Sequence, residues 1–115
     1  MNTLIRILSF FAPKIDGNPD EWLERDYILM GEKWREFRCG SCRGIYRCEN
    51  DEFQILAVQN TKKNNHFDRV LEWFEKSCER QKYNLTFLEV ENPRLMEKLK
   101  RLGFIGDKIK MTKQF

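Results

Sequence analysis

Residues 53–90 constrain the fold more than any other stretch of the chain. The run FQILAV is β-prone, and NNHFDRVLEWFEKSCERQ behind it sets Phe67, Val70, Leu71, Phe74 and Cys78 on one helical face. NLTFLEV then reads as a short buried strand. A strand over 53–58, a helix over 67–81 and a strand over 85–90 make a βαβ unit. Its two strands must lie parallel, because a right-handed crossover returns the chain to the same end of the sheet.

The flanks extend this unit. Residues 44–48 and 53–58 enclose the turn-forming Glu49-Asn50-Asp51 and read as a hairpin. In ENPRLMEKLKRLGF, Asn92 is the expected N-cap, Pro93 the first helical residue and Gly103 the stop, with Leu95, Leu99 and Leu102 turned inward. Ile109, Met111 and Phe115 suggest one last strand. Upstream, Asn18-Pro19-Asp20-Glu21 is a helix-start signal, and Leu23, Tyr27, Met30, Trp34 and Phe37 follow at spacings of four and three. That pattern predicts a helix over 18–37. Residues 4–11 are apolar enough for a buried strand or a helix. The expected order is helix, hairpin, helix, strand, helix, strand.

A chain of 115 residues has the length of one domain, 1–115, with one modest core. Hydrophobic residues at 41% can fill it, and 34% charged residues can solvate its surface. No apolar run approaches a membrane span, and Arg6 interrupts the N-terminal one, so a cytoplasmic protein without membrane contact is expected. Basic and acidic residues, 21 and 18, are interspersed, which gives no clear footprint for nucleic acid. Without a secretory signal, Cys39, Cys42, Cys48 and Cys78 are expected as reduced thiols.

The wording of 44–115 resembles the GNAT superfamily of acyl-CoA N-acyltransferases. In that family the last core helix often follows N-x-x-A-x-x-L-Y-x-K-x-G-F; here Asn92, Arg101, Gly103 and Phe104 fall in register, with Leu95 at the Ala place. The family's cofactor segment, V-x-P-x-x-R/Q-x-x-G-x-G/A, aligns on Val58, with Lys63 at the Arg/Gln place and His66 and Asp68 at the glycines. Residues 1–43 diverge from the family. The resemblance implies an α+β, three-layer fold: a mixed central sheet with helices on both faces around the βαβ core.

It further implies an acetyl-CoA or other acyl-CoA ligand bound by Val58, Lys62, Lys63, Asn64, Asn65, His66 and Asn92. Glu89 and Glu91 are candidate bases toward an acceptor amine. The glycines are replaced, and Leu99 stands where many members place an acidic Tyr, so the acyl-CoA site reads as eroded. Only 105–115 follow the last helix, so one strand of the family's final hairpin is expected to be missing or supplied by a second copy in a homodimer. Two further classes fit the residues. One is a non-catalytic binding or inhibitor protein that holds a protein partner. The other is a small zinc-containing nucleic-acid-binding protein built on Cys39-Gly-Ser-Cys42 and Cys48, with His66 or Cys78 as fourth ligand.

Overall fold

The structure, a computed structural model, describes residues 22–115. The helix-start signal at 18–21 and the apolar stretch 4–11 lie outside the described residues. The rest of the expected first helix is a hairpin: Trp22–Leu29 (β1) pairs antiparallel with Glu32–Cys39 (β2). Met30 and Gly31 between them both have positive φ, 51° and 82°. A two-residue turn of that kind twists in the same sense as the strands it joins. The register sets Arg25 opposite Glu36 and Asp26 opposite Arg35, and each pair forms a salt bridge.

The chain continues through Cys42–Glu49 (β3), Glu52–Asn60 (β4), His66–Gln81 (α1), Asn84–Leu88 (β5), Pro93–Arg101 (α2), Ile105–Gly106 (β6) and Lys110–Lys113 (β7). The seven strands make one sheet in the order β1-β2-β3-β4-β5-β7-β6. Only β4 and β5 run parallel, and α1 crosses between them as the βαβ pattern requires. The expected single final strand is two: β6 is a two-residue strand, and β7 inserts between it and β5.

The expected three-layer fold with helices on both faces does not form. Among the described residues there are two helices, and they share one face of the sheet. Phe87 of β5 meets Phe67 of α1 at 6.3 Å and Phe104, just past α2, at 5.4 Å, while Lys98 of α2 pairs with Asp68 of α1. The segment expected to supply a helix elsewhere lengthens the sheet instead. No helix among the described residues is long and apolar enough to cross a membrane.

The core lies between the helices and this face. Phe74 of α1 is fully buried and touches the rings of Trp22, Phe37, Tyr46, Phe53 and Trp73 at 5.0–6.0 Å. Asn92 caps α2 as expected, its side chain accepting from the N–H groups of Arg94 at 2.9 Å and Leu95 at 3.3 Å. Gly103, φ 98°, ends the helix, and the Phe104 N–H returns to the Leu99 carbonyl.

The thiols divide by burial. Burial, with Cys39 alongside, pushes the Cys42 thiol up to about 12; burial, with Cys48 and Glu75 nearby, does the same to Cys78. Cys39 is equally buried, whereas Cys48 is exposed. At about pH 8 a thiol reagent such as a disulfide dye is therefore expected to label Cys48 alone in the native protein, with the other three reacting only on unfolding. Two or more fast-reacting thiols would contradict this packing.

Candidate functional site

The functional candidate arises where the parallel strands part. Pairing of β4 with β5 runs from Glu52–Asn84 to Leu56–Leu88 and stops there. Beyond Leu56, β4 carries an irregularity against β3, with Ala57 at φ 58°. Gly44 of β3 permits it: a Cβ there would sit 2.9 Å from the Val58 Cα and 3.0 Å from the Phe37 ring. On the other side, the Glu89 and Val90 N–H groups turn to the Ile109 and Lys108 carbonyls, carrying the chain away from β4. Glu89 also has positive φ, 52°.

The result is a cleft of about 200 Å³, floored by Ile55 and Phe87. Ala57 and Val58 line it from the β4 side, and Glu89 and Glu91 from the β5 side, with Asn92 and Leu95 at the start of α2. Two non-glycine residues in the left-handed region, Ala57 and Glu89, line it. Such a conformation costs about 1–3 kcal/mol and persists where surrounding structure enforces it, commonly at binding sites. Parallel strands also place their carboxyl ends, and the N-termini of the helices that follow them, at the same edge of a sheet, which is where ligands of α/β proteins collect.

Four expected site residues, Val58, Glu89, Glu91 and Asn92, meet in this cleft; Glu89 and Glu91 are exposed on its rim. Lys62, Lys63, Asn64, Asn65 and His66 do not line it. They follow β4 as the approach to α1, where Lys62 and Lys63 are exposed. Asn65 occupies the N-cap position without a side-chain bond, and the neighbouring Asn64 does the capping, its Oδ1 accepting from the His66 N–H at 3.0 Å.

His66 is held by a residue that sequence reasoning missed. The Ser41 N–H donates to His66 Nδ1 at 3.1 Å, which places the ring proton on Nε2. The Ser41 hydroxyl lies 2.9 Å from the same nitrogen and 2.6 Å from Asn60 Oδ1, and it accepts from the Asn64 amide at 2.9 Å. This cluster ties the β2–β3 turn to the loop before α1. A contact across 25 residues of sequence leaves no local signal. Asp68 is likewise engaged, by Lys98. His66 and Asp68 are therefore both drawn into contacts of their own.

The cysteines of the expected zinc set do not meet at one point: Cys39 faces Cys42 across β2 and β3, but Cys48 stands at the opposite end of β3, about 20 Å from Cys42 at strand rise. No group of three His, Cys, Asp or Glu side chains among the described residues is arranged to hold a metal ion.

Leu99 is fully buried and packs in the core, so its position has no outlet to the cleft's solvent side. Comparison with protein-family models, with curated proteins and with solved structures returned no match.

Proposed function

We propose that the chain binds an acyl-CoA-type thioester in the cytoplasm, with its flexible arm in the cleft between β4 and β5 and its phosphates over the N-terminus of α1. The parting of the two parallel strands carries this reading. It leaves the inner edge of β4 beyond Leu56 unpaired by β5, so backbone groups there are available to the amides of an extended ligand. The approach to α1 supplies helix N–H groups and the exposed ammoniums of Lys62 and Lys63 for phosphate. His66 is held by Ser41 and Asp68 by Lys98, so neither the imidazole nor the carboxylate is left to crowd that anion.

On this reading Glu89 or Glu91, on the rim, takes the proton of an acceptor amine. The amine nitrogen forms a bond to the thioester carbonyl carbon, and the carbon–sulfur bond breaks. Leu99 offers no proton to the departing thiolate, so solvent must supply it, and slow turnover is expected. A second reading, a binding protein without catalysis, is favoured by the face of the sheet that carries no helix among the described residues.

Titration calorimetry with acetyl-CoA tests the binding. A micromolar Kd is expected, weakened roughly tenfold or more by Lys62→Ala/Lys63→Ala, as loss of two phosphate contacts implies. Absence of heat at millimolar ligand would overturn the proposal.

A further inference from the structure

Much of the sheet face away from the helices is closed by its own side chains. Trp34 lies beneath the Arg47 guanidinium at 4.4 Å, and Ile45 is buried. A groove of about 250 Å³ nevertheless crosses this face from β1 to β4. Tyr27 and Leu29 line its β1 end, Ile45 and Leu56 give it an apolar floor, and Arg43 and Ala57 stand at its far end. Glu36 also lines it, but that carboxylate is already paired with Arg25. The volume is below the roughly 300–1,000 Å³ of drug-sized sites, so the occupant must be small.

Arg43 is arranged for an anion. Directly opposite it on β2 stands Arg38, and no carboxylate pairs with either among the described residues. Like charges directly across a strand pair are destabilising, so a bound anion there is favoured. With its amide turned to satisfy both neighbours, Gln59 accepts from Arg43 Nε at 3.1 Å and from Nη2 at 3.2 Å, which fixes the guanidinium plane. One donor on each terminal nitrogen then remains, side by side, for a carboxylate. Ala57 lines both this groove and the cleft between β4 and β5. In the ladder of β3 with β4 it falls between the Ile45–Leu56 and Arg43–Gln59 pairs, where the register shifts. That shift joins a cavity on one face of the sheet to a cavity on the other.

We propose, resting on the acyl-CoA reading, that this groove holds the acceptor and that the acceptor is an α-amino acid with an apolar side chain. The side chain lies over Ile45 and Leu56 toward Tyr27 and Leu29, the carboxylate meets Arg43, and the amine stands at Ala57, facing the thioester. Ala57 is two residues from Gln59, the ladder partner of Arg43. Carboxylate and amine must therefore be close neighbours, as they are in an α-amino acid and are not in an acid with a distant terminal amine. The neutral amine nitrogen bonds to the thioester carbonyl carbon and the carbon–sulfur bond breaks. The amine proton passes to Glu89 or Glu91 and solvent protonates the thiolate, leaving an N-acyl amino acid and a free thiol.

Amide chemical-shift titration of the full chain with L-leucine, in the absence of acetyl-CoA, tests the site by itself. Saturable shifts at Ile45, Leu56 and Ala57 are expected, with a Kd of about 1 mM or below. L-leucinamide, which lacks the carboxylate, should bind at least roughly tenfold more weakly to the unaltered protein. Arg43→Gln should weaken L-leucine by a similar factor while keeping the Kd for acetyl-CoA, and the comparison of the two ligands stands if that variant does not fold. With both substrates present, mass spectrometry should detect N-acetyl-leucine. If acetyl-CoA binds but about 10 mM L-leucine gives no saturable shift, or L-leucine and L-leucinamide bind equally, the acceptor assignment is overturned and the acyl-CoA reading stands. If L-leucine binds and acetyl-CoA does not, the acyl-CoA reading is overturned and the acceptor role with it.

Discussion

Phe74→Ala is expected to remove about 3–5 kcal/mol of folding stability, the cost of emptying a large buried aromatic site. Its ring is fully buried and lies within 6.0 Å of five other rings, drawn from β1, β2, β3, β4 and α1 itself. A methyl group cannot replace those contacts, and a sheet braced by its own hydrogen bonds cannot close on the void. Against a total of about 5–15 kcal/mol for a domain, the loss leaves a marginal protein. Urea unfolding followed by tryptophan fluorescence measures it through the midpoint. A loss below about 1 kcal/mol would show that α1 does not pack on β1–β4 as described.

The second large effect concerns a charge. Glu24 is 5% exposed, on the helix-bearing face of β1. Its Oε1 accepts from the Trp22 indole N–H at 2.8 Å and from the Tyr46 hydroxyl at 2.6 Å, and its Oε2 lies 3.7 Å from Arg35 Nε. Burial and the nearby Glu24 charge push the Tyr46 phenol above its ordinary value, so it stays a neutral donor. Glu24→Ala would take their shared acceptor from the Trp22 and Tyr46 donors and remove a carboxylate from Arg35, whose Nε and one terminal nitrogen are already buried without a hydrogen bond. Breaking one partner out of such a buried set costs about 3–5 kcal/mol. Tyr46→Phe, which removes one donor and keeps the ring, should cost about 1–2 kcal/mol. Equal effects of the two substitutions would contradict a network centred on the carboxylate.

These two clusters hold β1–β4 and α1 together, and so fix one wall of the cleft. Much of that framework was legible. The helical spacing of Phe67, Val70, Leu71, Phe74 and Cys78 could not serve a strand, and Asn92-Pro93 could hardly do other than open a helix. Residues 22–37 misled because spacings of four and three between apolar residues also arise when a hairpin carries apolar residues on both faces and in its turn: Phe37 on one face, Leu23, Tyr27 and Trp34 on the other, and Met30 in the turn. The correcting signals were Gly31, costly inside a helix, and the opposite charges that pair across the turn, Arg25 with Glu36 and Asp26 with Arg35.

The site was legible only in part. Val58, Glu89, Glu91 and Asn92 meet because the strands part, but the left-handed backbone at Ala57 follows from β3 opposite it, and no residue preference announces it. Gly44 was the available hint, since a glycine inside a strand often marks a close backbone approach. Strand β6 escaped notice because two residues carry no period.

The measurement to make is amide chemical-shift mapping of the full chain titrated with acetyl-CoA. Binding as proposed shifts the amides of Ala57 and Val58, of residues 62–66 and of residues 89–92, and leaves the edge strand β1 unmoved. Shifts confined to other surfaces, or none at millimolar ligand, would contradict an acyl-CoA site between β4 and β5.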